Sequence, residues 1–245
     1  MSTLLSVNLN KIALLRNSRG RNYPDLLQYT QHLLSLGVKG ITVHPRPDER
    51  HIRYRDVLPL KQLLAQHDDV EFNIEGYPNA RFLGLIDDIA PTQCTLVPDA
   101  DGQLTSNHGF DLLADTSELQ SIIARIKQAG VRCAVFLDPI SEQIPVARQI
   151  GADAIELYTE TWADQFAQGQ SDTVAEGFKT SIQAAHQHGL RVNAGHDLSL
   201  DNLAAFLQLG QVHEVSIGHA LTVESIYQGL DQVIKGYRKL CAAGQ

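Results

Sequence analysis

LGVKGITVH (36–44), AGVRCAVFLD (129–138), IGADAIELYT (150–159) and HGLRVNAGH (188–196) are copies of one pattern, and a looser copy, LGQVHEVSIGH, lies at 209–219. Each is an apolar-periodic stretch closed by Gly, a small or apolar residue, a polar residue, and then a short apolar run. Gly37, Gly130, Gly151, Gly189 and Gly210 can take the left-handed conformation that ends a helix, so each copy reads as a helix running directly into a strand. Adding LLSVN (4–8), VEFNIEG (70–76) and QCTLV (93–97) gives eight strand candidates, most of them separated by room for one amphipathic helix. Eight β/α units in 245 residues is the size of a single (β/α)8 TIM barrel, and no Pro, Ser or Gly-rich linker divides 1–245 into two domains. The strands are rich in Val, Ile and Leu without consistent alternation, as expected for parallel strands covered on both faces.

Helix signals agree with this frame. Pro24 can open a helix carrying Leu26, Leu27, Leu33 and Leu34; Asp56 can cap one carrying Leu60, Leu63 and Leu64; Thr116 or Ser117 can cap one carrying Ile122, Ile123 and Ile126. Two connections exceed a minimal barrel. The segment 160–188 has room for two helices, and 98–115, PDADGQLTSNHGFDLLAD, is either a lid after the fourth strand or a passive surface loop.

A formal net charge of −8 disfavours a general nucleic-acid surface, which needs a net basic face. Three cysteines without close spacing fit buried thiols of a reducing compartment, so a cytoplasmic location is expected. The leading MSTLLSVNLNKIALL has no basic stretch before its apolar residues and no apolar run long enough to span a bilayer, so neither export nor membrane insertion is expected.

Parallel strands deliver their C-terminal residues to one face, and here those residues are Asn8, His44, Glu75, Asp138, Glu156 with Tyr158, Asn193 with His196, and Gly218 with His219. Segment 42–56, TVHPRPDERHIRYRD, holds His44, His51 and four arginines including Arg46. It is either an anion site built on guanidinium forks or a solvated loop balanced by Asp48, Glu49 and Asp56. His44 ends its strand and is either a catalytic imidazole or a hydrogen-bonded core histidine. Glu75, in FNIEGYP, is either a general base with a raised pKa or the partner of a nearby arginine. NAGHD (193–197) and SIGH (216–219) close the last two strands, where barrels commonly bind phosphate. Asn8, Asn10, Lys11, Arg16 and Arg19 form a second cationic cluster at the first strand exit. Two such clusters suit two phosphorylated ligands or one bisphosphate. Among His44, His51, His196 and His219 no HxH or HxxxH spacing fixes a metal, no CxxC occurs, and neither a dinucleotide, P-loop nor GxSxG pattern is present.

Together, SVNLNKIALLRNSRG, GITVHPRPDERHIRYRDV, FNIEGYP, TLVPD with LTSNHGFDL, RVNAGHDL and VSIGHAL resemble the pyridoxine 5′-phosphate synthase family over nearly the whole chain. The resemblance implies a barrel, an octamer, and no metal or organic cofactor. It implies condensation of 3-amino-2-oxopropyl phosphate with 1-deoxy-D-xylulose 5-phosphate, with release of phosphate and water. By motif, His44 and Glu75 match proton acceptors and His196 a proton donor. Arg46, His51 and Thr105 match contacts to the sugar phosphate; Asn8, Arg19, Gly218 and His219 match contacts to the aminoketone. The chain departs from the family at Asn10-Lys11, where Asp-His is expected, at Asp197, where Gly is expected, and at Glu160, where a small residue is expected. Asn10 and Lys11 remain candidates for sugar recognition, and Asp197 for a backbone N–H contact. Two other readings stay open: a phosphate-binding barrel isomerase or aldolase, disfavoured because no strand candidate ends on lysine, and a binding barrel without turnover.

Overall fold

The computed structural model describes residues 2–99 and 106–243. Eight strands, β1 (Leu4–Asn8), β2 (Gly40–Val43), β3 (Glu71–Gly76), β4 (Gln93–Leu96), β5 (Arg132–Leu137), β6 (Ala154–Tyr158), β7 (Arg191–Gly195) and β8 (Glu214–Ile217), pair in parallel and in chain order. β8 closes onto β1 with Leu5 beside Val215 and Val7 beside Ile217. The helices around this (β/α)8 barrel are α1 (Asn10–Asn17), α2 (Leu26–Ser35), α3 (Tyr54–Leu64), α4 (Ala80–Ile89), α5 (Ser117–Gln128), α6 (Ile144–Gln149), α7 (Glu160–Ala167), α8 (Asp172–Gln187), α9 (Leu203–Leu207), α10 (His219–Gln228) and α11 (Leu230–Ala243). The segment read as holding two helices does so, as α7 and α8, joined through the ring cluster of Trp162, Phe166, Phe178 and Phe206. None of the described helices is long and apolar enough to cross a membrane.

Gly37, Gly130, Gly151 and Gly189 have the positive φ expected of helix-ending glycines, whereas Gly210 does not. Its size is required instead, because a Cβ there would lie 2.7 Å from Ile182 Cγ2. Helix capping also differs from expectation. Asp25, not Pro24, caps α2, accepting from Leu27 N and Gln28 N. Asp56 lies in the first turn of α3 and reaches back to Arg53 N at 2.8 Å, the carboxylate half of a capping box. At α5 the expected caps make no side-chain cap bond, and Asp115 Oδ1 takes the Ser117 amide instead.

The strands do alternate. Ile41, Val43, Phe72, Ile74, Val192 and Ala194 are buried toward the helices, while Thr42, Asn73 and Asn193 between them are buried on the opposite face. Ser6, Thr42, Asn73 and Thr95 form a hydrogen-bonded run across β1 to β4. Asn193 on β7 donates to Gln93 on β4 at 3.2 Å. These strands are not neighbours, so the bond crosses the interior of the barrel. A typical barrel of this class is filled by branched apolar side chains; this one has a polar interior with Glu75, Glu156 and Glu214 all buried in it. Asn193, expected at the mouth, therefore belongs to the interior.

Candidate active site

The C-terminal ends of the strands surround a cavity of about 500 Å3 lined by Asn8, Asn10, Lys11, His44, Arg46, His51, Glu75, His196, Asp197, Gly218 and His219 among others. All the proposed site residues except two are thus brought together. Arg19 is not: α1 ends at Asn17 and the chain continues outward, leaving Arg19 exposed and away from the cavity. Thr105 lies outside the described residues, as does the 100–105 part of the expected lid. The far side of that connection is pinned, with Gly109 N donating to Asp138 Oδ2 and Phe110 N to the Phe136 carbonyl. Asp138 thus anchors this loop and does not line the cavity. A Cβ at Gly109 would sit 2.4 Å from Leu137 Cα, so only glycine permits the approach.

At the floor, Asn8 Oδ1 accepts the Asn10 amide at 3.0 Å, and Asn10 Oδ1 accepts the His44 amide at 3.0 Å. Asn10 therefore fixes the backbone of His44 as well as facing the cavity. His44 Nδ1 lies 3.8 Å from Glu75 Oε2, and its Nε2 lies 3.7 Å from Asp99 Oδ2. Burial, then the charges of Arg46 and of the other histidines and Arg50, hold the His44 pKa well below its usual value. The ring is neutral at pH 7, so neither contact is an ion pair and the imidazole is free to accept a proton. Burial raises the Glu75 carboxyl to about 8, with Glu214 and Asp99 adding to the effect. That is near the value at which a carboxylate is an efficient general base at neutral pH. Glu156 is raised as well, by burial and by Glu75.

One arm of the cavity, rich in arginine and histidine, is the loop from His44 to Arg53. Arg46 is buried and meets Asp99 at 2.7 Å. His51 accepts the Ile52 amide on Nδ1 at 3.0 Å, which leaves Nε2–H as a donor. Burial, Arg46 and Arg50 depress its pKa to about 4, so at neutral pH it is an uncharged donor. The loop is held from beneath by Asn17 Nδ2, which donates to the Arg50 and His51 carbonyls at 3.0 and 2.7 Å.

The opposite arm is made by the ends of β7 and β8. His196 and Asp197 have φ of 88° and 56°, left-handed conformations that cost non-glycine residues on the order of 1–2 kcal/mol each. Side chains hold them there: Thr159 Oγ1 donates to the Gly195 and His196 carbonyls at 2.7 and 2.5 Å, and Asn202 Nδ2 to the Asp197 carbonyl at 3.0 Å. The His196 ring packs against Tyr158 and Phe136, with centroids 5.1 and 6.0 Å apart. Tyr158 donates in turn to Glu160, which lines the cavity. The His196 ring, with Nδ1 3.8 Å from Asp197 Oδ2, keeps the Asp197 carboxyl below its usual range. Gly218 precedes α10, whose first-turn amides and positive dipole end lie at the cavity with His219. A Cβ at Gly218 would come within 3.1 Å of Asn8 Cβ. Among the described residues, no three His, Cys, Asp or Glu side chains are grouped as a metal site requires.

Residues 5–243 match the model of the pyridoxal phosphate biosynthesis protein PdxJ family. The chain belongs to the PdxJ family. It is 50% identical over its full length to the pyridoxine 5'-phosphate synthase of Xanthomonas axonopodis pv. citri (strain 306), covering 98% of that protein. It is 47% identical over 97% of its length to the same-named protein of Christiangramia forsetii, covering 99% of it. Among solved structures, phosphoribosyl anthranilate isomerase from Thermus thermophilus superposes with a TM-score of 0.60 at 10% identity, over 99% of this chain and 100% of that one. That likeness shows the barrel fold alone, and the PdxJ membership rests on sequence.

Sequence reading left out Asp99, Ser106 and Glu214. Asp99 and Ser106 flank 100–105 and meet at 2.9 Å; within TLVPD and LTSNHGFDL neither residue carries a chemical signal of its own. Glu214 follows His213 as a single acid before VSI, and strict alternation on β8 would have placed it inside. Burial raises its pKa to about 8, with Glu156 and Glu71 contributing. A carboxyl raised from 4.5 in the unfolded chain to about 8 in the fold binds more protons folded than unfolded between those values. Stability therefore declines as pH rises through that window. Glu214→Gln is expected to match the parent at pH 5 and exceed it by a few kcal/mol at pH 8.5 in urea unfolding. An equal difference at both pH values would place the ionisation elsewhere.

Proposed function

We propose that this chain catalyses formation of pyridoxine 5′-phosphate from 3-amino-2-oxopropyl phosphate and 1-deoxy-D-xylulose 5-phosphate, releasing phosphate and water by general acid–base catalysis. The observation that carries the reading is the neutral His44 beside the high-pKa Glu75, set between two anion-binding arms in one cavity. The names of the full-length PdxJ relatives support it.

The arm of Arg46 and His51 takes the sugar phosphate, with Thr105 as a further contact. Gly218, His219, Asn8 and the Asp197 backbone take the aminoketone phosphate, and Lys11 adds positive charge beside Asn10. Condensation of the amine with the sugar ketone needs a donor for the departing hydroxyl, the role of His196. Enolisation, phosphate elimination and aromatisation each remove a carbon-bound proton, and His44 and Glu75 receive it. No cofactor is required for these steps. The single-domain barrel works in the cytoplasm as a homo-oligomer, an octamer by family resemblance, with no nucleic-acid or membrane partner.

The test is to mix the purified protein with both phosphorylated substrates and no added metal, following product absorbance and orthophosphate. Product with matched phosphate release supports the proposal. Tight binding of both substrates without product would instead favour a binding barrel.

A further inference from the structure

Asp99, just beyond β4, does not line the cavity, yet it touches the side chains that work there. Its carboxylate is almost fully buried, with 3% of the side chain exposed. Oδ2 meets Arg46 Nη2 at 2.7 Å, accepts from Ser106 Oγ at 2.9 Å and faces His44 Nε2 at 3.7 Å. Oδ1 is buried and accepts no hydrogen bond from any of the described residues. A packing role alone does not explain such a group, since a buried carboxylate oxygen without a partner costs stability that an apolar residue would not.

His44 thus lies between two carboxyl groups, Glu75 on its Nδ1 side and Asp99 on its Nε2 side. We propose that Asp99 is a positioning residue for the acid–base pair: its carboxylate holds His44 in the tautomer protonated on Nε2 and clamps Arg46 beside it. A carboxylate accepts only, so Asp99 selects Nε2–H and leaves the Nδ1 lone pair directed at Glu75. One proton can then pass between the Glu75 carboxyl and His44 Nδ1, and Asp99 stabilises the imidazolium as it forms. Oriented histidines in other enzymes use a buried aspartate in this way. The same oxygen binds Arg46, so the base and one phosphate-binding guanidinium share a single anchor.

This inference rests on the acid–base reading of His44 and Glu75 above. Asp99→Asn can present an amide N–H to Nε2 and favour the wrong tautomer. It is expected to lower kcat by about 10²-fold, while KM for the sugar phosphate changes less. Asp99→Glu, which restores the acceptor and the charge, is expected to recover most of the loss. The pH profile separates positioning from packing. Glu75 is faced by Asn8, His44, Arg46, Asp99, Glu156, Glu214 and Ser216, and His44 by Arg46, Arg50, His51, His196, Glu75 and Asp99. Of the acids, Asp99 is the one replaced, and its charge raises Glu75. Its loss is expected to move the acid limb of kcat/KM to lower pH by about one unit.

An unchanged kcat and an unmoved limb would overturn the proposal, as would a defect confined to KM. A readout that needs no turnover is the 15N spectrum of histidine-labelled parent protein, with His44 assigned by the signal lost in His44→Gln. Protonation on Nε2 supports the proposal even if the substrates assigned above are wrong, and protonation on Nδ1 overturns it even if they are right.

Discussion

Glu75→Gln is expected to lower turnover by about 10³-fold, within the range for loss of a general base, while KM for either phosphorylated substrate changes only a few-fold. Gln has the same shape and keeps an oxygen for Asn8 Nδ2, which now reaches Glu75 Oε2 at 3.4 Å. The proposed phosphate contacts lie on other elements. Only the ability to take a proton is lost. In the parent, the acid limb of kcat/KM should have its midpoint near 8, the raised Glu75 value, and the variant should lack that limb. Stability should move the other way. The folded state keeps Glu75 protonated up to about pH 8, and above that it must bury a carboxylate beside Glu156 and Glu214. The variant should therefore gain stability at pH 8.5 and show little gain at pH 5. Loss of activity with gained stability cannot arise from misfolding. Unchanged turnover would remove Glu75 from the mechanism.

The sequence disclosed the barrel because its decisive signals are local. A helix, a glycine and an apolar strand recur at short range, and such units stack into a closed parallel sheet with few alternatives. His44, Glu75 and His196 were legible for the same reason, since each sits at or just past a strand end. The polar interior was not, because the reading weighted the total apolar content of each strand over its alternation. Thr42 between Ile41 and Val43, Asn73 between Phe72 and Ile74, and Glu156 between Ile155 and Leu157 each carry a period of two, visible once the strand limits are fixed. Asp99 was harder. It gains meaning only from Arg46 and His44, on a different strand exit, and no spacing in one chain reports that contact. Arg19 stands apart from the other candidates, because α1 carries the chain outward after Asn17 and Arg19 does not line the cavity of its own chain.

Arg16→Met is expected to be the most destabilising change outside the core, by about 3 kcal/mol, the lower end for breaking a buried ion pair. Arg16 and Asp56 form two bonds at 2.9 and 2.7 Å, with side chains 6% and 11% exposed. Arg16 also donates to the His51 carbonyl at 3.3 Å. The pair therefore joins α1, the start of α3 and the loop that carries Arg46 and His51. Two facts set the magnitude low in the range. Asp56 still accepts the Arg53 amide, and Arg53 and Arg55 line the same cavity of about 350 Å3 as Arg16 and Asp56, so the stranded carboxylate keeps positive charge nearby. Removing the acid instead leaves those arginines facing one another, and Asp56→Asn should also destabilise. The double variant Arg16→Met with Asp56→Asn should lose less than the sum of the two in urea unfolding, because neither charge is then left buried alone. Additive losses would mean that the two side chains act independently. Release of the His51 carbonyl should also raise KM for the sugar phosphate in Arg16→Met, since the loop that carries Arg46 and His51 loses one of its supports, while kcat at saturation stays close to that of the parent.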